Sequence, residues 1–135
     1  MSRPHTQTFS AFIILESRHS NWQDQYFTHY QYSSRIPNGQ QIKVGDLLLI
    51  AKTKKELKTD KQIYAFCTVK NIYIEQDFFD YKILRADFNK VHILNDSYKY
   101  KDFIKSSGIS RNSIKKIPEK DLVQTLKTLL NDISN

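Results

Sequence analysis

Residues 44–51, VGDLLLIA, predict a tight turn that leads directly into a buried β-strand. Gly45 can take the positive φ of a bulge or tight turn, and Asp46 can accept hydrogen bonds from neighbouring backbone amides. The apolar run that follows is expected to form the strand itself. We therefore expect these residues to act as framework at a turn of a barrel rather than as part of a functional site.

Segments on both sides of this turn also have the character of strands. Residues 8–16, TFSAFIILE, are rich in β-branched and aromatic side chains and predict a central strand buried on both faces. Residues 26–33 alternate loosely between aromatic and polar side chains, and the turn signal Pro37-Asn38-Gly39 ends them. A charged segment, residues 52–61, is expected to form a solvated hairpin loop before the next strand.

Three more strands are expected in the middle of the chain. Residues 63–69 place apolar side chains at odd positions, which predicts a half-buried strand. Residues 81–88 alternate again, and residues 91–94 are expected to pair with them across the short Asn89-Lys90 turn. The interpretation of residues 72–79 stays open.

The C-terminal third predicts a terminal helix. Residues 119–133 carry apolar side chains at helical spacing on one face, and Pro118 suits the first turn. These apolar side chains are Leu122, Leu126, Leu129, Leu130 and Ile133. Strands followed by a helix predict an α+β fold in a single domain, residues 1–135, with a small curved barrel of five to six strands and flanking helices.

The composition favours a polyanionic partner. Lys and Arg outnumber Asp and Glu by 21 to 14, which gives a net charge of +7. Nucleic acid is the commonest polyanion bound by such proteins, although a basic surface that serves only solubility is an equal alternative. The chain shows no apolar run long enough to span a membrane and no signal-peptide pattern, so we expect a cytoplasmic protein without a membrane partner.

Residues 22–35 carry the strongest functional signal. Five aromatic side chains precede Ser33, Ser34 and Arg35; they are Trp22, Tyr26, Phe27, Tyr30 and Tyr32. Flat rings can stack on an unpaired base, worth about 1–3 kcal/mol per base, and the hydroxyls and the cation can bind base edges and phosphates. The alternative is that these rings fill the barrel core, which for any single aromatic residue is the better hypothesis.

Two clusters of cations could bind phosphates. Residues 52–61 contain five lysines, including Lys52 and Lys54, and a later cluster surrounds Ser106-Ser107-Gly108. The later cluster comprises Lys105, Arg111, Lys115 and Lys116. Either cluster could follow a nucleic-acid backbone and make binding dependent on salt, or could simply be solvated.

Signatures of catalysis and of bound cofactors are weak. The chain has no phosphate-binding glycine-rich loop and no nucleophile elbow, its four histidines share no metal-ligand spacing, and the lone Cys67 is expected to be a small buried residue. A nuclease site built on Asp77, Asp80 and Asp87 is conceivable, but acidic residues near turns usually cap the backbone or are solvated. We therefore expect a binding domain with no cofactor, no metal and no catalytic residue.

Four short motifs stand out together: Tyr30-Gln31-Tyr32-Ser33, Val44-Gly45-Asp46 before the apolar strand, residues 64–72, and residues 113–117 ahead of the terminal helix. In these motifs the chain resembles the PUA-like superfamily, which includes the EVE and YTH domains and the specificity domains of modification-dependent restriction enzymes. The resemblance implies a strongly curved small barrel. It also implies recognition of a modified base, with DNA favoured over RNA, by a specificity module that works with a nuclease domain or subunit.

The resemblance suggests a base-flipping mechanism. Trp22, Tyr30 and Tyr32 would stack on the extruded base, Ser33 or Ser34 would read its edge or sugar, and Arg35, Lys52 and Lys54 would hold phosphates. Three alternatives stay open. They are a general RNA-binding accessory domain for tRNA or rRNA, a protein-interaction module, and a small enzyme with an Asp-based site.

Overall fold

The computed structural model describes residues 9–15, 28–52, 63–105 and 113–134. These ranges form seven strands and one α-helix: β1 (Ala11–Leu15), β2 (His29–Ser33), β3 (Leu47–Ala51), β4 (Ile63–Asp77), β5 (Lys82–Phe88), β6 (His92–Tyr98), β7 (Ile114–Lys116) and α1 (Glu119–Ser134). The predicted α+β class is confirmed. Six of the strands follow one another in a continuous order, which agrees with the expected five to six, and β6 lies beside this order. The three-residue β7 is too short to have been identified from side-chain alternation.

The strands form one mixed sheet with the order β2-β5-β4-β3-β1-β7, and β6 pairs with β4 beside this path. β1 and β3 run parallel, with Ala11 opposite Leu47 and Leu15 opposite Ala51. β1 lies between β3 and β7, and four of its five residues are buried. This confirms the prediction of a central strand buried on both faces.

The predicted hairpin between residues 81–88 and 91–94 is wrong. β5 pairs with the second part of β4, from Val69 to Asp77, and β6 pairs with the first part, from Ile63 to Phe66. Asn89 and Lys90 therefore do not reverse the chain, which continues along the same edge of β4. The physical reason is the length of β4, whose 15 residues give one edge long enough for two successive partners.

The sheet curls into a half-barrel around a core formed by its concave face. Phe12 and Ile14 from β1 enter this core together with Tyr30 and Tyr32 from β2, at the other end of the strand order. The two edge strands are linked by the loop after β2, where the side-chain amide of Asn38 donates a hydrogen bond to the carbonyl of Ile114 at 2.9 Å. Curling thus brings distant strands into one core.

Helix α1 covers the opposite face of the sheet. Leu122 and Leu129 pack in a second core with Phe103 and Ile104. The predicted leucine stripe is only partly right, since Leu130 and Ile133 are largely exposed. Thr125 and Asp132 occupy the buried face instead, because each finds a hydrogen-bond partner there; the threonine hydroxyl donates to the carbonyl of Asp121 at 3.0 Å.

The turn before β3 has the conformation that its sequence predicts. Gly45 has φ of 92°, and the carboxylate of the buried Asp46 accepts hydrogen bonds from the backbone N–H groups of Ser10 at 2.9 Å and Lys43 at 2.8 Å. This carboxylate ties the chain ahead of β1 to the turn ahead of β3. The parallel pair is thereby held in register at its beginning.

A second buried carboxylate, Asp132, fixes α1 to β6. It accepts hydrogen bonds from the N–H groups of Asn95 at 2.6 Å and Asp96 at 3.0 Å, and from the Tyr98 hydroxyl at 2.7 Å. Desolvation alone would raise the pKa of Asp132, but these donors outweigh it and hold the pKa below its ordinary value. The ionised form is therefore the one that fastens the helix.

We expect Asp132→Asn to lower the free energy of unfolding at pH 7 by about 2 kcal/mol, because hydrogen bonds to a charged acceptor are lost. Since the folded-state pKa of Asp132 lies below its unfolded value, the stabilisation is complete above the unfolded pKa. It is lost as pH falls through the folded value. Urea denaturation between pH 7 and pH 2 measures this.

Glu119→Gln, at an exposed site in the first turn of the same helix, serves as the control and should leave stability nearly unchanged. A gap between wild type and Asp132→Asn that stays constant down to the lowest pH would contradict the role given to the ionised carboxylate.

Candidate nucleic-acid interface

Tyr30 and Tyr32, two of the predicted stacking residues, are packed inside the half-barrel. Their rings stack on each other with centroids 5.3 Å apart and planes 16° apart, and both side chains are buried. This is the alternative in which the rings fill the core, so neither ring presents a surface for stacking on a base. Trp22 and Lys54, which were predicted to act with them, lie outside the described residues.

The Tyr32 hydroxyl is an exception within this core. It is fully buried and meets no hydrogen-bond partner among the residues that the structure describes. Burial raises the pKa of Tyr32 to about 12. Gly39 lies against the ring, and a Cβ added there would come within 3.3 Å of the ring and of the Ser33 carbonyl. The ring is held by packing, and no described residue forms a hydrogen bond with its hydroxyl.

Ser33, Ser34 and Arg35 lie beside the β4–β5 hairpin, where their polar groups serve the fold. The hydroxyl of Ser34 accepts a hydrogen bond from the N–H of Lys82 at 2.9 Å, and the hydroxyl of Ser33 accepts one from the N–H of Arg35 at 3.1 Å. The Arg35 guanidinium pairs with Asp80 and lies 4.3 Å from the centroid of the Tyr81 ring. These contacts brace the hairpin tip.

The aspartates considered for a nuclease site are each paired with a cation. Asp77 lies 3.5 Å from Lys82, Asp80 pairs with Arg35, and Asp87 accepts a 2.6 Å hydrogen bond from Arg85. Within the described residues, no three acidic, histidine or cysteine side chains lie close enough to hold a metal ion. The geometry of these carboxylates fits ion pairing along a hairpin.

One end of the sheet joins the segments that carry the remaining predicted residues. Leu15 at the end of β1 lies opposite Ala51 at the end of β3, Ala51 lies opposite Ile63 at the start of β4, and Ile114 at the start of β7 lies opposite Ile14. We call this the sheet end. Residues 16–27, 53–62 and 106–112 are each joined to the described chain there at one end or at both.

Lys52 and Tyr64 form the described corner of the sheet end. The Lys52 ammonium lies 4.8 Å from the centroid of the Tyr64 ring, a distance at which a cation is attracted to an aromatic face. Lys52 is followed directly by residues 53–62, and both side chains are half-buried. A ring and a cation therefore lie together where the described chain joins the lysine-rich residues 53–62.

Tyr64 owes its position to a β-bulge. The register between β3 and β4 shifts so that Ile50 lies opposite Ala65 and Ala51 opposite Ile63, which leaves Tyr64 as the extra residue. Its ring packs against the edge of the core on the concave face, on the same side as Ala65. Strict alternation would have assigned Tyr64 to the other face, so sequence reasoning missed it. Bulges are frequent beside binding sites because they re-aim a side chain.

The second basic cluster is divided between two environments. The Lys115 side chain is buried and its ammonium lies 4.9 Å from the centroid of the Tyr100 ring. The Lys116 ammonium donates a hydrogen bond to the Gln41 side chain at 3.0 Å. Arg111 lies outside the described residues. The described part of this cluster does not form a continuous track of cations.

An open cavity of about 510 Å³ lies at the other end of the sheet, where β1 and β3 begin. Its lining includes Phe9, Lys43, Lys116 and Glu119. Both carboxylate oxygens of Asp46 at its wall are already bonded to backbone amides. The opposed charges and the satisfied carboxylate give this cavity no clear preference for an anion or a cation.

Comparison with known proteins does not assign the chain to a family. No protein family matches its sequence, and no curated protein matches it significantly. Within the described residues, no helix is long and apolar enough to cross a membrane.

The orphaned Tyr32 hydroxyl gives a prediction about stability. A buried hydroxyl without a partner loses its hydration and gains nothing, so Tyr32→Phe should leave the free energy of unfolding unchanged or raise it by up to about 1 kcal/mol. Tyr98→Phe is the matched control, because the Tyr98 hydroxyl donates to Asp132 at 2.7 Å. We expect Tyr98→Phe to lower the free energy of unfolding, measured by urea denaturation, by about 1.5–3 kcal/mol.

If Tyr32→Phe destabilised the protein as much as Tyr98→Phe, the Tyr32 hydroxyl would have to make a hydrogen bond that the described residues do not provide.

Proposed function

We propose that this protein is a nucleic-acid-binding domain that uses the sheet end as its interface. The observation that carries the proposal is the Lys52–Tyr64 corner, a cation over an aromatic ring, from which the lysine-rich residues 53–62 continue. Residues 16–27, which contain Trp22, leave β1 beside it. Aromatic rings and cations on neighbouring segments are the combination that binds single nucleotides or flipped bases.

The distribution of charge supports this end of the molecule over the β4–β5 hairpin. Residues 53–62 contain four lysines, Lys54, Lys55, Lys58 and Lys61, against Glu56 and Asp60. Residues 70–88 contain three cationic side chains and four carboxylates, although the whole chain has a net charge of +7. Phosphates are attracted to an excess of cations, so the hairpin is the less favourable surface.

The finer part of the proposal concerns the ligand. By resemblance to the PUA-like superfamily, the domain recognises a modified base in DNA and serves as a specificity module for a nuclease domain or subunit, with no chemistry of its own. The buried Tyr30 and Tyr32 no longer belong to the set of stacking rings. Trp22 and Tyr64 replace them in the proposal, with Lys52 and Lys54 holding phosphates.

Binding of short labelled duplexes tests the proposal. We expect duplexes with methylated or hydroxymethylated cytosine, or methylated adenine, to bind more tightly than plain DNA and than RNA of the same sequence. Tyr64→Leu and Trp22→Ala should each weaken binding about tenfold, because a stacked base contributes about 1–3 kcal/mol. Lys52→Ala should weaken all duplexes alike and lower the slope of log affinity against log salt by about 1.

Two control variants separate the interface from general effects. Tyr64→Phe keeps the ring and should bind like the wild type if stacking is the contribution of Tyr64. Lys127→Ala removes the same charge as Lys52→Ala from the exposed face of α1 and should leave affinity nearly unchanged. No salt-dependent binding of any duplex or RNA by the wild type would overturn the proposed function, and equal binding of modified and plain duplexes would overturn its finer part.

A further inference from the structure

The second half of β4 has one edge with which no strand in the described part of the chain pairs. β3 pairs with β4 as far as Thr68, and the turn before β3 then bonds to both backbone groups of Val69, through the Gly45 N–H and the Asp46 carbonyl at 2.9 Å each. Beyond Val69, no described strand pairs with this edge, while β5 covers the other one. We call residues 70–77 the free edge. An uncovered edge presents unpaired N–H and C=O groups to another strand.

Large apolar side chains line the free edge and the hairpin tip that follows it. Tyr73 and Ile74 are about half exposed, Phe78 is nearly so, and Phe79 is completely exposed. Because Tyr73 and Ile74 are neighbours in β4, they point to opposite faces of the sheet, and the free edge therefore has exposed apolar side chains on both faces. We call these four side chains the apolar strip. Strips of this kind on a protein surface commonly mark contacts with another protein.

The hairpin tip is held in a fixed shape. The N–H of Phe78 donates to the carbonyl of Tyr81 at 2.9 Å, and the two rings stack with centroids 4.8 Å apart. The Arg35 guanidinium lies 4.3 Å from the centroid of the Tyr81 ring and also pairs with Asp80. A partner therefore meets a preformed surface and loses little entropy in ordering it.

Charges at the two ends of the free edge have opposite sign. Lys70 at the beginning forms no ion pair within the described residues. Near the end, Glu75 lies 3.7 Å from Arg85, and Asp77 lies 3.5 Å from Lys82 but keeps 65% of its side chain exposed, so Asp77 can meet a second cation. Lys70 disfavours pairing with an arbitrary apolar strand, since its ammonium would lose hydration without compensation. A strand that brings a carboxylate to Lys70 removes this penalty.

We infer that the free edge is a dimer interface in which a second copy of this chain pairs antiparallel with the first. A two-fold axis near Tyr73 and Ile74 places Lys70 of each copy beside the acidic end of the other. The same arrangement moves the Phe78-Phe79 tip of each copy toward the exposed Val44 of its partner, because the turn that carries Val44 closes the free edge at Val69. The free edge thus complements itself in charge and in apolar contact.

This interface is separate from the one in the proposed function. The free edge carries two carboxylates, Glu75 and Asp77, against the single cation Lys70, so it has no excess of cations to attract phosphates. Its test requires no nucleic acid, so its outcome is independent of whether the sheet end binds DNA.

The concentration dependence of molar mass, measured by sedimentation equilibrium, tests the inference on the intact chain. We expect a reversible dimer for the wild type. Ile74→Lys should raise the dimer dissociation constant at least about tenfold, because it buries a charge in the apolar strip. Ile93→Lys is the matched control: Ile93 also lies in a strand and is 54% exposed, against 56% for Ile74, and its substitution should leave dimerisation unchanged.

A charge exchange tests the antiparallel orientation. Lys70→Asp or Asp77→Lys alone should raise the dissociation constant about fivefold, since each places like charges together at both ends of the interface. The double variant Lys70→Asp/Asp77→Lys should recover affinity close to that of the wild type. A wild type that stays monomeric at high concentration, equal effects of Ile74→Lys and Ile93→Lys, or no recovery in the double variant would each overturn the inference.

Discussion

The shared strand β4 is the constraint on which the rest of the structure depends. It is 15 residues long, and its first part pairs with β3 and β6 while its second part pairs with β5. Register shifts occur against each of these partners. Because bulges increase twist and bend a strand, a single continuous strand can belong to two differently oriented portions of the sheet. The half-barrel is the result.

Curling has opposite consequences for the aromatic residues. Tyr30 and Tyr32 on β2 are carried over the concave face and packed against Phe12 and Ile14, which gives the half-barrel its core. The bulge at the start of β4 instead moves Tyr64 to the rim of that core, beside Lys52. Tyr30 and Tyr32, which were predicted to stack on a base, are thus buried, while Tyr64, for which no such role was predicted, lies at the rim.

Buried carboxylates fix the borders of this sheet. Asp46 joins the start of β1 to the turn before β3, and Asp132 joins α1 to β6, each through backbone N–H donors. These bonds satisfy amides that irregular backbone would otherwise leave unpaired. Both carboxylates are thus buried where they bond to backbone amides.

The sequence by itself determined the α+β class, the buried central strand, the conformation of the Gly45-Asp46 turn and the terminal helix. These features depend on local alternation, turn chemistry and helical spacing, which neighbouring residues specify. Only the tertiary structure decided that β6 follows β5 along β4, that Leu130 faces solvent while Asp132 is buried, and that Tyr64 rather than Tyr32 reaches the rim. Strand partnership and bulge position depend on contacts between residues distant in the chain. A local sequence pattern does not specify these contacts.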